Sequence, residues 1–401
     1  MLATLLIGTG KATTAFEHAG TPDSGALATR GAARPGSGAG RHIIVVGAGA
    51  FGGWTALWLL RAGARVTLVD AWGPGNARSS SGDDTRVIRA IYGPSATYTR
   101  WTARSLRLWR EHGERWGRPI YEKCGCLWMF ATDLDSYARD ALPHLRDNGL
   151  PVDVLSGEDV AARWPVFATD GLRSAYFEHE AGFLRARAGC QMVAELFVAE
   201  GGRYVEAAAK PGRMTRGRMG PVALGTGERL ESDAVVWACG PWLGHLFPKA
   251  IGPRVASTRQ EIYYFGTPAG DVRFSEENCP CWVRVNNERA VYGIPGNDRR
   301  GMKIGDDTRG PRFNPTTGSR VPGAASVRWA RRAIGEHFPA LTGAPLVEAR
   351  VCQYENSPDG HVFAQQHPNA PNCWFLGGGS GHGYKLGPAL GEVMAGVVLD
   401  G

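Results

Sequence analysis

HIIVVGAGAFGGWTALWLLRAGARVTLVD, residues 42–70, reads as one complete βαβ unit. The apolar run His42–Val46 predicts a strand. Gly47, Gly49 and Gly52 predict a tight turn into a helix reaching Arg61, with Gly63 as its stop, and Val66–Val69 predicts a second strand ending on Asp70. In this GxGxxG arrangement the first glycine makes the turn, the second lets backbone approach a pyrophosphate, and the third allows close helix–strand contact. An acid ending the second strand holds a ribose hydroxyl. Gly47, Gly49, Ala50, Phe51, Gly52 and Asp70 are therefore candidate dinucleotide contacts, with a helix N-terminus facing the phosphates. The motif alone leaves NAD and FAD both open.

Composition sets the outer bounds. With 401 residues, 43% of them hydrophobic, and 13 Trp, the chain can bury a large core and has the length of two or three domains. No apolar run approaches the roughly 18 residues that span a bilayer, so no membrane role is expected. The charge of +7, from 45 Lys+Arg against 38 Asp+Glu, is scattered rather than gathered into a stripe. That argues against nucleic acid and suits anionic small molecules. Eight cysteines are too sparse for a disulfide scaffold and suggest reduced thiols in the cytoplasm. The pairs Cys124/Cys126 and Cys279/Cys281 lack zinc-ribbon spacing and read as packed thiols, with no metal expected. Residues 1–40, small and Gly/Ala-rich, read as a disordered extension. Met1–Ile7 lacks the basic start of a signal peptide.

Past Asp70 the chain alternates. Thr85–Tyr92 carries Arg86 and Arg89 three residues apart, the spacing of one helical face; such a pair either grips a phosphate or carboxylate or forms a solvated surface. Residues 97–116 read as an amphipathic helix. From Ile120 to Phe183 the pattern changes, with strands at Cys126–Phe130 and Val152–Leu155, a helix near Ser136–Asn148, and a capping box at Ser156 with Asp159. A helix over Ala186–Glu200 and strands Tyr204–Ala208, Val222–Leu224 and Asp233–Ala238 resume the first domain and lead into Cys239-Gly240-Pro241-Trp242. Glu261–Phe265, Cys281–Val285 and Arg289–Tyr292 predict an antiparallel sheet, and Asn297–Asp307 a polar loop. A strand at Cys373–Leu376, a second glycine-rich loop over Gly377–Leu386 and a helix over Pro388–Val398 close the chain, offering another anion cradle.

Several of these segments together resemble the monomeric sarcosine oxidase family, within the D-amino-acid oxidase superfamily of flavoenzymes. They are the Gly47 fingerprint, Thr85–Tyr92, Tyr292-Gly-Ile-Pro with Gly301-Met-Lys303, Cys352-x-Tyr-x-x-Ser-Pro-Asp359, and Gly379-Ser-Gly-His-Gly-Tyr-Lys385. The likeness spans about residues 42–400. It implies an α/β fold, α+β overall, in which a Rossmann-like FAD-binding domain (41–119, 185–256 and 350–401) carries an inserted antiparallel-sheet substrate domain (120–184 and 257–349).

The resemblance also implies roles. Cys352 would carry FAD covalently, Lys303 would activate oxygen, Tyr292 would line the cavity and Arg86 would pack near the flavin ring. Arg89 and Lys385 would hold the substrate carboxylate, with Tyr354 beside it. Gly240, Gly379, Gly381, His382, Gly383 and Tyr384 would join Lys385 around the cofactor. Two departures bear on substrate: Asp307 stands where the family has a histidine four residues after the lysine, and Ser80–Asp84 lacks the family's two histidines. An acid near the amine favours a longer or more cationic substrate; a surface aspartate is the alternative.

The activity implied is that of a cytoplasmic, monomeric oxidase. It would act on the CH–NH bond of a secondary or primary amino acid, with oxygen as acceptor and hydrogen peroxide as product. A flavin dehydrogenase using another acceptor, and a flavin-binding subunit without turnover, are the alternatives.

Overall fold

The strand His42–Val46 is buried along its whole length and pairs in parallel with Arg65–Asp70 on one side and Ala234–Trp237 on the other. A strand covered on both faces is a continuous apolar run, which is why HIIVV carries no alternation. In the computed structural model, which describes residues 31–131, 135–286 and 289–400, this strand is central to a six-stranded sheet. Arg203–Glu206 extends one edge; Ala370–Gly377 and the antiparallel Phe363–His367 extend the other. The helix Ala50–Arg61 packs against helices Ala186–Ala199 and Gly387–Asp400. Trp54 meets Trp109 edge to face at 5.2 Å in the core beneath them.

A second sheet has eight strands in the order Leu346–Asn356, Ala256–Phe265, Met302–Asp306, Ala290–Ile294, Cys281–Val285, Cys126–Phe130, Ser174–Glu178 and Val152–Leu155. All neighbours are antiparallel except Cys281–Val285 with Cys126–Phe130. Cys126–Phe130 shows why both faces are covered. Leu127 and Met129 enter one core with Ala330 and Ile334 of helix Ala324–His337, while Trp128 and Phe130 enter another with Tyr137 and Leu145 of helix Ser136–Asp147. A small third sheet joins Thr85–Ile88, Gly182–Arg185 and Tyr121–Glu122. The capping box at Ser156 forms, with Asp159 closing it at 2.8 Å. No helix among the described residues is long and apolar enough to cross a membrane.

Several expectations are corrected. Arg86 and Arg89 do not share a helical turn: Thr85–Ile88 is a strand, and Arg89 follows its end. Lys303 is not in a polar loop but on the strand Met302–Asp306, where it and Gly305 are buried inside a packed sheet. Residues 31–40 are docked rather than disordered. The Gly38 amide donates to the Ala62 carbonyl at 3.0 Å, a Cβ at Gly38 would lie 2.6 Å from the Ala64 amide, and Ala33 packs against the first core. The rest of that extension, 1–30, lies outside the described residues. The strand Leu346–Asn356 crosses the boundary set at residue 350, held in the eight-stranded sheet by its register with Ala256–Phe265. The CxC cysteines are free thiols, three of them buried, with Cys124 Sγ 3.7 Å from Cys281 Sγ.

Candidate active site

One long cavity lies between the carboxyl ends of the central parallel strands and the face of the eight-stranded sheet. Crevices of α/β proteins form there because loops diverge from the strand ends. Gly47 turns the chain at φ +108, and a Cβ there would meet the Ala238 carbonyl oxygen at 2.4 Å. A Cβ at Gly52 would come within 1.8 Å of the Gly47 carbonyl oxygen, so this glycine permits helix–strand contact and does not itself line the cavity. Gly47, Gly49, Ala50 and Phe51 do line it, as do Gly240 and, from the second glycine turn, Gly379, Gly381, His382, Gly383, Tyr384 and Lys385. Asp70 is not among the lining residues; its carboxylate accepts from the Ala48 and Trp72 amides at 2.7 and 2.9 Å, and burial pushes its pKa up.

Three cations line this cavity and a fourth lies behind its wall. Arg86 donates to the Ser80 carbonyl at 2.8 Å and to Asp83 at 3.0 Å, and lies 3.8 Å from Cys352 Sγ. Burial disfavours its charge, but Cys352 and Asp83 outweigh that and hold its pKa above the ordinary value. Arg89 is buried, donates to the Ile91 carbonyl at 2.7 Å and lies 4.5 Å from the Tyr92 ring centre. Lys385 lies 5.1 Å from the same ring and donates to the His382 carbonyl at 2.9 Å. Burial, then Arg89, pushes the Lys385 amine well below its usual pKa. The strand reading and the helical reading of Thr85–Tyr92 differ, yet both arginines reach the cavity. Lys303 is 1% exposed and absent from the lining; its ammonium donates to Asp83 and to the Thr85 carbonyl at 2.9 Å.

Cys352, Tyr354, Tyr292 and Asp307 border the same space. The Tyr354 hydroxyl donates to Asp307 at 2.7 Å, so Asp307 is a buried wall residue and not a surface turn. His382 pairs with the Tyr92 hydroxyl at 3.1 Å, and the Tyr384 hydroxyl donates to the Ala186 carbonyl at 2.7 Å.

Three residues that sequence reasoning passed over shape the site. Asp83 accepts from Lys303, Arg86, Tyr264 and Arg350. Glu178 accepts from the Ala90 and Ile91 amides and from Trp128, anchoring the segment beside Arg89. Glu355, buried in the wall, has its pKa pushed up to about 7 by burial, and its Oε1 has no hydrogen-bond partner. Only the paired acids Asp83-Asp84 before Thr85 offered a visible signal. Two glycine turns that open helices, with a backbone at Gly47 that a Cβ would close, border one cavity and fit FAD.

A family model described as FAD dependent oxidoreductase (DAO) matches residues 42–397. The chain belongs to this family. Among curated relatives of this FAD-dependent oxidoreductase are monomeric sarcosine oxidase of Bacillus sp. (strain B-0618), 27% identical and covering 90% of this chain and 92% of that protein, and N-methyl-L-tryptophan oxidase of Salmonella arizonae, 27% identical over 89% and 94%. Among solved structures, L-proline dehydrogenase from P.horikoshii superposes with a TM-score of 0.77 at 18% identity, covering 91% of this chain and 94% of that one. A fructosyl peptide oxidase superposes with 0.76 at 19%, covering 90% of each. These likenesses establish the fold of this flavoenzyme family for the chain.

Proposed function

We propose that the protein is an FAD-dependent oxidase of the C–N bond of an N-substituted amino acid, giving an imine that water hydrolyses to a carbonyl product and an amine. The observation that carries this reading is that Arg89 and Lys385, both lining the cavity that the glycine fingerprint opens, converge on one buried aromatic ring behind its wall, Tyr92. Two buried cations beside one ring repel, and Arg89 adds to the burial that pushes the Lys385 amine down. A substrate carboxylate would relieve the repulsion through charge-assisted hydrogen bonds, which are shorter and about twice as strong as neutral ones.

Bound FAD would supply the two-electron chemistry. The chain supplies position and field: Arg89 and Lys385 fix the carboxylate, Tyr292 and Tyr354 close the walls, and Asp307 places a negative edge where the amine end of the substrate would lie. In this reading Cys352 carries the flavin covalently, Arg86 flanks it, Lys303 promotes its reaction with oxygen to give hydrogen peroxide, and the backbone of Gly47–Phe51, Gly240 and Gly379–Tyr384 cradles the rest. The six-stranded layer serves the cofactor and the eight-stranded layer the substrate, in a monomeric cytoplasmic enzyme. The substrates named for the curated relatives, N-methylated amino acids, suit this clamp. Asp307 favours a substrate with a further cationic or hydrogen-bond-donating group.

The test is anaerobic mixing of the purified yellow protein with N-methyl, cyclic and glycated amino acids. Bleaching of the flavin by at least one, with peroxide released on adding oxygen, is expected. A flavin that none of them reduces would sink the proposal.

A further inference from the structure

The Lys303 ammonium does not meet the cavity as a free charge. Asp83, 6% exposed and lining the cavity, accepts from it, while Lys303 lies outside the lining. The same carboxylate accepts from Arg86 at 3.0 Å, Tyr264 at 2.9 Å and Arg350 at 3.2 Å. Asp83 sits at φ +84, a conformation aspartate tolerates better than most side chains, and its four donors fix the carboxylate in place. The part of this ion pair that borders the flavin's place is therefore the negative one.

We propose that Asp83 is a positioning residue that restrains the reaction of the reduced flavin with oxygen by offsetting the charge of Lys303. The inference rests on the reading of Lys303 as the oxygen-promoting cation. Oxygen takes two electrons and one proton from anionic reduced flavin and a second proton from solvent, leaving oxidised flavin and hydrogen peroxide. The first electron creates superoxide, a new negative charge that a lone buried cation stabilises strongly. An ammonium with a carboxylate beside it acts as a dipole whose field falls off faster than that of a lone charge. Lys303, Arg86 and Asp83 together carry one net positive charge, and Asp83→Asn raises this to two while keeping the shape and an oxygen that accepts from Lys303.

The charge state adds a signature. Around the Lys303 ammonium stand Asp83, Arg86, Cys352 and Tyr264, with Arg350 on the far side of Asp83. Burial and Arg86 disfavour the protonated lysine and Asp83 favours it. In Asp83→Asn the lysine loses its counter-ion, so its proton should leave at a lower pH than in the wild type and take the gained rate with it.

The experiment reduces the flavin of the whole enzyme anaerobically with dithionite or light, so that no amine is needed, and mixes it with oxygen in a stopped flow between pH 6 and 9. Asp83→Asn should reoxidise about tenfold faster than wild type at the acid end, with the advantage falling as pH rises. Asp83→Gly, which suits the positive φ, should show the same gain and covers the case in which the Asn variant fails to fold. In Asp83→Asn combined with Lys303→Met the gain should vanish. Reoxidation no faster than wild type at every pH in both single variants overturns the proposal, as does a gain that survives loss of Lys303. If Lys303→Met alone matches wild type, the oxygen role of Lys303 falls and this inference falls with it. Failure of amine oxidation is read separately, from anaerobic reduction by the amino acids.

Discussion

Replacing Lys385 by Met tests the carboxylate clamp, because it keeps the buried stem and deletes the charge. Lys385 is 3% exposed, with its ammonium fixed by the His382 carbonyl at 2.9 Å. Losing a hydrogen bond to a charged group in such a place costs about 1.5–3 kcal/mol, or a factor of about 10–150 in affinity. Deleting the lysine also removes its repulsion of Arg89, which places the expected rise in KM toward the lower end of that range. Steady-state rates on an amino acid substrate and on its decarboxylated amine separate the two contributions: KM should rise at least tenfold for the first and change little for the second. The pH dependence carries a sign as well. Burial and Arg89 push the Lys385 pKa down, so raising the pH strips its proton, and the wild-type KM for the amino acid should climb as that happens. In Lys385→Met the climb in that window should be absent. Equal losses for the two substrates, or an unchanged pH profile, would refute the clamp.

Three further variants probe the cofactor attachment, a buried carboxyl and the first glycine turn. Acid-precipitated wild-type protein should stay yellow and Cys352→Ala should release its flavin to the supernatant; retention of colour by the variant would remove Cys352 as the attachment point. Glu355, raised from 4.5 to about 7, binds a proton in the folded state that the unfolded chain gives up, so its contribution is present below pH 4.5 and lost as pH rises to about 7. Thermal melts of flavin-free protein should show Glu355→Gln removing up to roughly 3 kcal/mol of stability loss across that window. Gly52→Ala, whose Cβ would sit 1.8 Å from the Gly47 oxygen, should give protein that neither binds FAD nor melts cooperatively; a yellow, stable variant would show that the turn can shift.

The βαβ opening was legible because its signals are local: an apolar run, glycines that a tight turn demands, and a helix of the right length. The strands Cys126–Phe130, Val152–Leu155 and Cys281–Val285 match their expected bounds to the residue for the same reason. Arg86 and Arg89 misled because a spacing of three suits a helix, whereas burial of Thr85 and Ile88 against Gly182–Arg185 selects a strand. Lys303 misled because its glycine-rich, charged surroundings look solvated, and only pairing with Ala256–Phe265 and Ala290–Ile294 buries it. Asp83 could not be seen at all as a hub, since its partners stand 3, 181, 220 and 267 residues away.

The two anchoring carboxylates explain how one short segment delivers both arginines. Along a strand, residues three apart point to opposite faces, so Arg86 and Arg89 would diverge if Thr85–Ile88 continued. It stops because Glu178 captures the amides of Ala90 and Ile91, turning the chain after Arg89, while Asp83 ties Arg86 from the other end. Their pKa values move in opposite directions for a physical reason. Asp83 faces ammonium and guanidinium groups that outweigh its burial, whereas Glu178 faces chiefly neutral donors that do not. Arg86, Arg89, Lys303 and Lys385 stand with the acids Asp83, Glu178 and Asp307, which leaves little net charge at the site. A free amine would add a charge to this set and a simple carboxylic acid would subtract one, each at the desolvation cost of an unmatched ion. A zwitterionic amino acid adds none, and under the proposed clamp its carboxylate would meet Arg89 and Lys385 and its amine end Asp307.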